Sequence, residues 1–261
     1  MHPSAMTLGK LVFEHYVHSP EQVIVEIGSQ LVNGGLRDIA PPHNRYIGLD
    51  FVSGPGVDLV LDDPYRYPLE DNTADLVVSS SVFEHAEFFW LSFLEALRIL
   101  KDGGVLYLNV PACGYFHRFP QDCWRFYPDA ANALCRWGRR SGYSVSLLET
   151  FTANIEKGVL LNDVVMLFVK GAMTTRPRIS EYIGAYNIGI IEEGLVQDYA
   201  GPQVANQVER FFYEFAKGHE NLRAVFPKKA TLNRHNLSTD DVHFLFDYFI
   251  RMELLLKEKE F

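Results

Sequence analysis

The stretch VIVEIGSQLVNGG, residues Val23 to Gly35, is a short β-branched run that leads into a glycine turn. A strand followed by such a turn and a helix presents backbone N–H groups at the carboxyl edge of a parallel sheet, where open α/β folds bind ligands. A dinucleotide fingerprint needs glycine at positions 28, 30 and 33, because a pyrophosphate approaches the backbone closely. The sequence has Gly28, Gln30 and Asn33 there. It therefore predicts a ligand loop that disfavours a dinucleotide.

Outward from this stretch, apolar runs alternate with segments of helical period as far as Lys170, which is typical of a parallel sheet with crossover helices. We predict a Rossmann-like doubly wound α/β fold with a mostly parallel seven-stranded sheet in residues 1–173. A linker and a helical extension over residues 174–261, acting as a lid or a dimer surface, are predicted to follow it. The predicted strands are Val23–Gly28, Tyr46–Asp50, Val57–Leu61, Ala74–Ser79, Val105–Val110, Val145–Thr152 and Val164–Lys170, and the predicted helices are Phe88–Leu100, Gln203–Lys217 and Thr239–Lys259.

Composition limits the classes of partner. The 261 residues carry a net charge of −9 and no long basic run, so nucleic acid is disfavoured as a partner. No apolar run approaches the roughly 18 residues that span a bilayer, and the first residues, MHPSAMTLGK, lack the pattern of a secretory signal, so we expect a cytoplasmic protein. Cys113, Cys123 and Cys135 have no CxxC spacing, which predicts reduced thiols rather than disulfides or a zinc knuckle.

Acidic residues near the ends of three predicted strands suit a nucleoside with an amino-acid tail and no phosphate. Glu26 can hold an ammonium group, and Asp50 lies about 20 residues beyond the loop, where a carboxylate accepts from ribose hydroxyls. We predict that the Asp62 side chain accepts a hydrogen bond from the adenine amino group and that the backbone N–H of Asp63 donates to the adenine ring. The alternative, in which the Asp63 side chain accepts from the amino group, is left open. S-adenosylmethionine has these features.

A family resemblance rests on the series VEIGSQLVNG, YIGLDF and VDLVLDDPYRYPLEDNTADLVVSSSVFEHAEFFWLSFLEALRILKDGGVLYLNVPA. It resembles the class I S-adenosylmethionine-dependent methyltransferases over about residues 20–170. It is most similar to bacterial members linked to surface-polysaccharide or nucleotide-sugar pathways, which share YFHRFPQDCWRFYPDA. Gln30 and Val32 depart from it at positions usually held by glycine. The predicted residues for S-adenosylmethionine, the implied cofactor, are Glu26, Gly28, Ser29, Asn33, Asp50, Phe51, Asp62, Asp63 and Ser80.

Methyl transfer to a hydroxyl needs alignment and benefits from a base, and histidine is the side chain best suited to that role near neutral pH. His117 is predicted as the base, oriented by Asp122. His85 is predicted with His117 and Asp122 as a catalytic residue that lines the site, with capping of the next helix as the alternative. Aromatic rings interleaved with polar groups suit a polyhydroxylated acceptor, although Trp124 and Phe126 could instead anchor the loop to the core. The predicted substrate-binding residues are Tyr115, Trp124, Arg125 and Tyr127.

The leading function is therefore O-methylation of a carbohydrate, a nucleotide-linked sugar or a surface-glycan precursor. A small amine, a carboxylate or a phosphate-bearing metabolite is the alternative acceptor, and a non-catalytic binding protein with the cofactor fold is the alternative from another class. A nicotinamide oxidoreductase is disfavoured by the loop. Asp62 with Asp63, and Glu84 with His85, offer metal ligands without specific spacing, so no metal site is predicted. A homodimer is compatible with the sequence.

Overall fold

The computed structural model describes residues 3–112, 116–153, 163–172 and 176–200. Its helices and strands follow the alternation that the sequence predicts up to residue 170, and strands continue beyond it. The helices are α1 (Pro3–Tyr16), α2 (Phe89–Ile99) and α3 (Ala130–Arg140), with 3-10 turns at Leu36–Ile39 and Ile179–Tyr182. The strands are β1 (Val23–Ile27), β2 (Arg45–Asp50), β3 (Leu59–Val60), β4 (Ala74–Ser80), β5 (Leu100–Pro111), β6 (Val145–Ala153), β7 (Asp163–Lys170), β8 (Ala185–Tyr186), β9 (Ile188–Glu192) and β10 (Leu195–Ala200).

The main sheet has the strand order β3-β2-β1-β4-β5-β7-β6-β8. Neighbouring strands from β3 to β5 pair in parallel, whereas β7 is antiparallel to both β5 and β6, and β8 is antiparallel to β6. The prediction of a mostly parallel α/β sheet is confirmed, but the predicted count of seven strands is wrong, because β8 adds an eighth and the sheet is mixed. Since β1 to β5 are parallel, their carboxyl ends meet at one edge.

Apolar cores cover both faces of this sheet, as expected of buried parallel strands. On β1, Val25 belongs to one core and Ile24 to the other, because successive side chains point to opposite faces. Residues of α2 and α3 fill the first core, and residues of α1 fill the second. The predicted helix Phe88–Leu100 agrees with α2 to within one residue at each end.

Two local predictions need correction. The predicted strand Val57–Leu61 is reduced to the two residues of β3. Asp58 bonds to Gly48 of β2 through its side chain as well as its backbone, which interrupts regular strand pairing. Its Oδ2 accepts from the Gly48 N–H at 2.7 Å, and its backbone N–H donates to the Gly48 carbonyl. The strand predicted to begin at Val105 already begins at Leu100, so that β5 contains Gly103 and Gly104.

The helical extension is also wrong for residues 185–200, which form β8 and the β9–β10 hairpin. The hairpin turns at Glu193 and Gly194, whose φ angles of 50° and 70° match the two positive φ values of a tight two-residue turn. Asn132 of α3 bonds both backbone groups of Val196, which attaches the hairpin to the rest of the fold. The predicted helices Gln203–Lys217 and Thr239–Lys259 lie outside the described residues, and the division of the chain at residue 173 stays a prediction.

Across the part of the chain that the structure describes, every helix is too short or too polar to cross a bilayer.

Candidate functional site

Two clusters of predicted site residues lie along the carboxyl edge of β1 to β5. The first, which we call the cofactor loop, consists of residues 28–35 after β1 with the strand ends at Asp50 and Leu61. The second, which we call the histidine cluster, consists of Glu84 and His85 after β4 with His117, Asp122 and Arg125 after β5. The topology accounts for both, because each segment leaves a parallel strand at the same edge.

The cofactor loop begins with a sharp turn at Gly28. This residue has a φ of +76°, in the left-handed region that disfavours side chains. A Cβ atom at this position would lie 2.2 Å from Cγ2 of Val82, which follows β4. The N–H groups of Gly28 and Ser29 both donate to the carbonyl of Leu49 at the end of β2, at 2.8 and 3.0 Å. Glycine is therefore required here both by backbone conformation and by close packing.

The rest of the loop is fastened to the segment that follows β2. Asp50 accepts hydrogen bonds from the N–H groups of Gln30 and Val52, each at 3.1 Å, so its carboxylate joins the two segments. The Gln30 side chain lies against Gly54, where its Nε2 would be 2.8 Å from a Cβ atom. The glutamine that replaces the usual glycine therefore packs beside the neighbouring loop.

Glu26 is a buried acid beneath the cofactor loop. Glu26 is the penultimate residue of β1, and it is only 2% exposed. Tyr46 donates its hydroxyl to Oε2 at 2.8 Å, and the backbone of Leu36 also bonds to this carboxyl. Burial raises the pKa of Glu26 to about 7, although both hydrogen bonds lower it. A cation bound near Glu26 would favour its ionised form.

The other predicted cofactor residues differ in exposure. Ser29 is buried, and its Oγ has no hydrogen-bond partner among the described residues. The side chains of Asn33, Phe51, Asp62 and Asp63 lie at exposed positions, with Asp63 accepting from the N–H of Tyr65 at 2.8 Å. Ser80 is buried at the end of β4, and its Oγ accepts from Asn109 Nδ2 at 3.1 Å. The fold thus places all of these residues on segments that leave one edge, but at different depths.

The histidine cluster depends on the segment after β5 folding back over the turn after β4. The N–H groups of Cys123 and Trp124 donate to the carbonyl of Glu84 at 2.8 and 3.0 Å. The indole of Trp124 donates to the carbonyl of Ala86 at 2.9 Å. Its ring and that of the buried Phe126 both pack edge-on against Phe89. These contacts favour the alternative in which Trp124 and Phe126 hold the loop against the core.

Within the cluster the imidazoles of His85 and His117 meet edge to face, with ring centroids 5.0 Å apart. Nδ1 of His85 lies 2.5 Å from the carbonyl oxygen of Gln121, so this nitrogen carries the hydrogen and Nε2 is left with the lone pair. Burial lowers the pKa of His85 and favours its neutral form. The fold therefore brings together two histidines that are 32 positions apart in the sequence.

Asp122 connects the predicted base to an arginine. Its Oδ2 accepts a hydrogen bond from the backbone N–H of His117 at 2.8 Å and lies 3.5 Å from the ring nitrogen Nδ1 of His117. Arg125 donates to both carboxylate oxygens, at 2.5 and 2.7 Å, and these hydrogen bonds hold the pKa of Asp122 far below its usual range. The side chain of Asp122 is only 2% exposed, whereas that of His117 is 38% exposed. His117 Nδ1 also lies 3.5 Å from Nη2 of Arg125, so both members of this ion pair contact a solvent-accessible imidazole.

Of the predicted substrate residues, Arg125 is paired with Asp122, which competes with its predicted contact to a substrate. Trp124 and Tyr127 have exposed fractions of 38% and 57%. Tyr115 lies outside the described residues. The histidine cluster therefore has exposed aromatic surface on its own loop.

Sequence reasoning gave too little weight to Glu84, which we considered only as half of an unspecific pair with His85. Its side chain is buried, and burial raises its pKa to about 8. Asn109 was missed altogether: it is fully buried in β5 and donates to both Ser80 and Asp163. A polar residue inside the apolar run VLYLNVP was the available signal for Asn109, because a buried amide needs partners.

Comparison with known protein families matches a part of the chain that includes residues of both clusters. A sequence family described as "Methyltransferase domain" matches residues 41–108, which run from just before β2 into β5. This span contains Asp50, Ser80 and Glu84 but neither Gly28 nor His117. No curated protein sequence matches the chain.

Similar folds occur among solved structures. The 1,6-didemethyltoxoflavin N1-methyltransferase of Burkholderia thailandensis, solved with that compound and S-adenosylhomocysteine, has a TM-score of 0.52 at 13% identity, covering 64% of this chain and 78% of its own. The YcgJ protein of Bacillus subtilis has a TM-score of 0.49 at 11% identity, covering 66% and 100%. The [4+2]-cyclase SpnF has a TM-score of 0.47 at 15% identity, covering 64% and 82%. The chain thus combines a methyltransferase-domain sequence over residues 41–108 with the fold of a known methyltransferase.

Proposed function

We propose that the protein is an S-adenosylmethionine-dependent methyltransferase that methylates an oxygen of a polyhydroxylated small molecule, with a carbohydrate or nucleotide-linked sugar as the acceptor class. The observation that carries this proposal is the arrangement of His117, Asp122 and Arg125 beside His85 at the sheet edge that also holds the Gly28 turn. The methyltransferase-domain match supports the reaction class, and the histidine cluster supports an acceptor that has to lose a proton.

In the proposed cofactor arrangement, the Gly28 turn lets the cofactor approach the backbone. Glu26 stabilises the ammonium group of the amino-acid tail, and its raised pKa fits that role, since an adjacent cation restores the charge that burial disfavours. Asp50 lies where ribose hydroxyls are bound in related folds. Its oxygens already accept two N–H groups, but each oxygen has a second lone pair for a hydroxyl. Asp62 and Asp63 are the adenine contacts.

In the proposed reaction, the oxygen of the acceptor hydroxyl would attack the methyl carbon of S-adenosylmethionine. The bond between that carbon and sulfur would break, and its electron pair would stay on sulfur to give S-adenosylhomocysteine. His117 accepts the hydroxyl proton as the new C–O bond forms. Asp122 fixes the ring and stabilises the imidazolium, which then releases its proton to solvent. The exposed ring of Tyr127 suits the C–H face of a sugar, and the exposed part of Trp124 lies on the same loop.

The experiment is an acceptor panel with methyl-labelled S-adenosylmethionine, containing sugars, nucleotide sugars, amines, carboxylates and phosphorylated metabolites. We expect label in sugar or nucleotide-sugar hydroxyls. His117→Asn should lower turnover by about 10²–10⁴-fold while the Kd for the cofactor stays within twofold.

His43→Asn is the matched control, because His43 is exposed in the segment before β2 and belongs to neither cluster. Label found only in amines or carboxylates would contradict the proposed sugar acceptor and would assign the alternative acceptor class. Full turnover by the His117→Asn variant would remove the base.

A further inference from the structure

The histidine cluster contains a carboxylate and two imidazoles that converge. One potential ligand atom from each of Glu84, His85 and His117 lies within 4.8 Å of the other two. An ion bound at about 2.0–2.2 Å from each donor requires the donors to be about 3–3.5 Å apart, so small side-chain rotations would close the set. Two histidines and one carboxylate form a donor set that suits divalent transition metals.

The orientation of His85 is the one that a metal ligand needs. Its Nδ1 donates to the carbonyl of Gln121, and Gln121 Nε2 donates back to the carbonyl of His85 at 3.1 Å. Nε2 of His85 consequently carries the lone pair and lies 3.7 Å from Oε1 of Glu84. Metal-binding histidines usually donate their second ring N–H to a carbonyl or carboxylate in this way, which fixes both tautomer and ring orientation.

Glu84 supplies the second, independent observation. Its side chain is only 1% exposed, and Oε2 has no hydrogen-bond partner among the described residues. A buried carboxylate oxygen without a partner is costly, and a cation is one group that satisfies it. A shared proton does not bridge Glu84 to His85 at this spacing, because 3.7 Å exceeds the length of a hydrogen bond. The spacing suits an atom between the two side chains.

The surrounding charges favour a dication. Two further acids, Asp163 and Asp122, and one base, Arg125, act on the Glu84 carboxyl. Arg125 is the neighbouring positive group, but both oxygens of Asp122 accept its hydrogen bonds, so much of its charge is compensated. An ion at the cluster would be held by one carboxylate and two imidazoles, of which that of His117 is partly exposed.

We propose that Glu84, His85 and His117 bind one divalent transition metal ion, of the Zn²⁺ or Co²⁺ type. This inference does not rest on the proposed acceptor class, since its test concerns the ion alone. A ring nitrogen of His117 that is bound to the ion cannot at the same time accept a proton, so metal-loaded and metal-free protein would differ in the base available to an acceptor.

The test uses the full chain after treatment with a chelator and its removal. Zn²⁺ is titrated by calorimetry, and Co²⁺ by the visible absorption that reports its ligands, with no cofactor or acceptor present. We expect one ion per chain with a ligand-field spectrum that includes nitrogen donors. His117→Gln and Glu84→Gln should each weaken binding at least tenfold, and Zn²⁺ should raise the melting temperature of the unmodified chain but not of the His117→Gln variant.

His43→Gln is the matched control and should bind as the unmodified chain does. His117 is partly exposed, so its replacement should leave the fold intact, and melting curves in chelator check both variants. Absence of stoichiometric binding would overturn the proposal. Binding that neither His117→Gln nor Glu84→Gln weakens would also overturn it, because the ion would then be held elsewhere, for example by histidines of the C-terminal region. Neither result would bear on methyl transfer, which the acceptor panel tests separately.

Discussion

The cofactor loop and the histidine cluster lie on the same sheet edge but satisfy their acids in different ways. Asp50 accepts from two backbone N–H groups, and Glu26 accepts from Tyr46 and Leu36. In the histidine cluster Asp122 is satisfied by Arg125 and by a backbone N–H, whereas one oxygen of the buried Glu84 has no hydrogen-bond partner in the described part of the chain. The acids in and beneath the cofactor loop are therefore paired with backbone N–H groups and the Tyr46 hydroxyl, while one oxygen of Glu84 in the histidine cluster can still bind a proton or a cation.

The largest effect should come from Gly28 of the cofactor loop, against which Val82 of the segment after β4 packs. Gly28→Ala places a Cβ atom in a left-handed conformation and 2.2 Å from Val82, so we expect a loss of about 2–5 kcal/mol in the free energy of unfolding, measured in urea. Gly103→Ala is the matched control: its φ is +79°, but nothing lies within 4 Å of the added carbon, so the loss should be about 1–2 kcal/mol. Equal losses would show that contact with Val82 does not matter.

Adding Val82→Ala to Gly28→Ala should recover part of the lost stability, because the clashing Cγ atoms are removed. Strictly additive losses in this cycle would show that positions 28 and 82 are not coupled through this contact.

The next effect concerns the buried acid beneath the cofactor loop. Because the pKa of Glu26 rises from its usual 4.5 to about 7 in the fold, the folded chain binds more protons than the unfolded chain between these values. Stability therefore falls as pH rises from 4.5 to about 7 and then levels off. Glu26→Gln, which keeps an acceptor for Tyr46, should remove this part of the slope and stabilise the chain at pH 8 by up to about 3 kcal/mol.

The measurement is a series of urea unfolding curves between pH 4.5 and 8. The unmodified chain should keep a steeper decline than the variant over this window. A residual slope in the variant is expected, because the raised pKa of Glu84 acts in the same direction. Identical slopes in the two proteins would show that Glu26 titrates normally in the fold.

The smallest effects separate a structural acid from a binding acid within the cofactor loop. In Asp50→Asn, the new NH₂ group replaces one carboxylate oxygen, so the N–H of either Gln30 or Val52 loses its acceptor. We therefore expect a loss of about 1–3 kcal/mol in the free energy of unfolding. Asp62 is exposed, so Asp62→Asn should change stability by less than about 0.5 kcal/mol. It should nevertheless weaken cofactor binding about tenfold if it is the adenine contact, as calorimetry would show. Unchanged affinity would remove that role from Asp62.

Local patterns carried most of what could be predicted about the fold. The β-branched runs and the helical spacing of α2 are properties of neighbouring residues, so strand positions and that helix follow from them. The β9–β10 hairpin was missed because its turn depends on positive φ at Glu193, which is not a typical turn residue. The shortened β3 likewise depends on Asp58, whose side chain accepts the hydrogen bond of the Gly48 backbone N–H in β2.

For the candidate site, sequence alone gave the segments but not their contacts. That His85 and His117 both follow parallel strands could be predicted, since such strands end at one edge. Their meeting with Glu84 depends on the loop after β5 returning to donate two N–H groups to the Glu84 carbonyl, and nothing in residue type specifies that return. The packing of Val82 over Gly28 is equally nonlocal.

The claim that the two clusters divide cofactor binding from acceptor chemistry is tested most directly by one calorimetric comparison with S-adenosylhomocysteine. The unmodified chain should bind one molecule per chain, Glu26→Gln should raise the Kd about tenfold or more, and His117→Asn should change it by less than twofold. Lack of binding by the unmodified chain, or a greater loss with His117→Asn than with Glu26→Gln, would contradict that division.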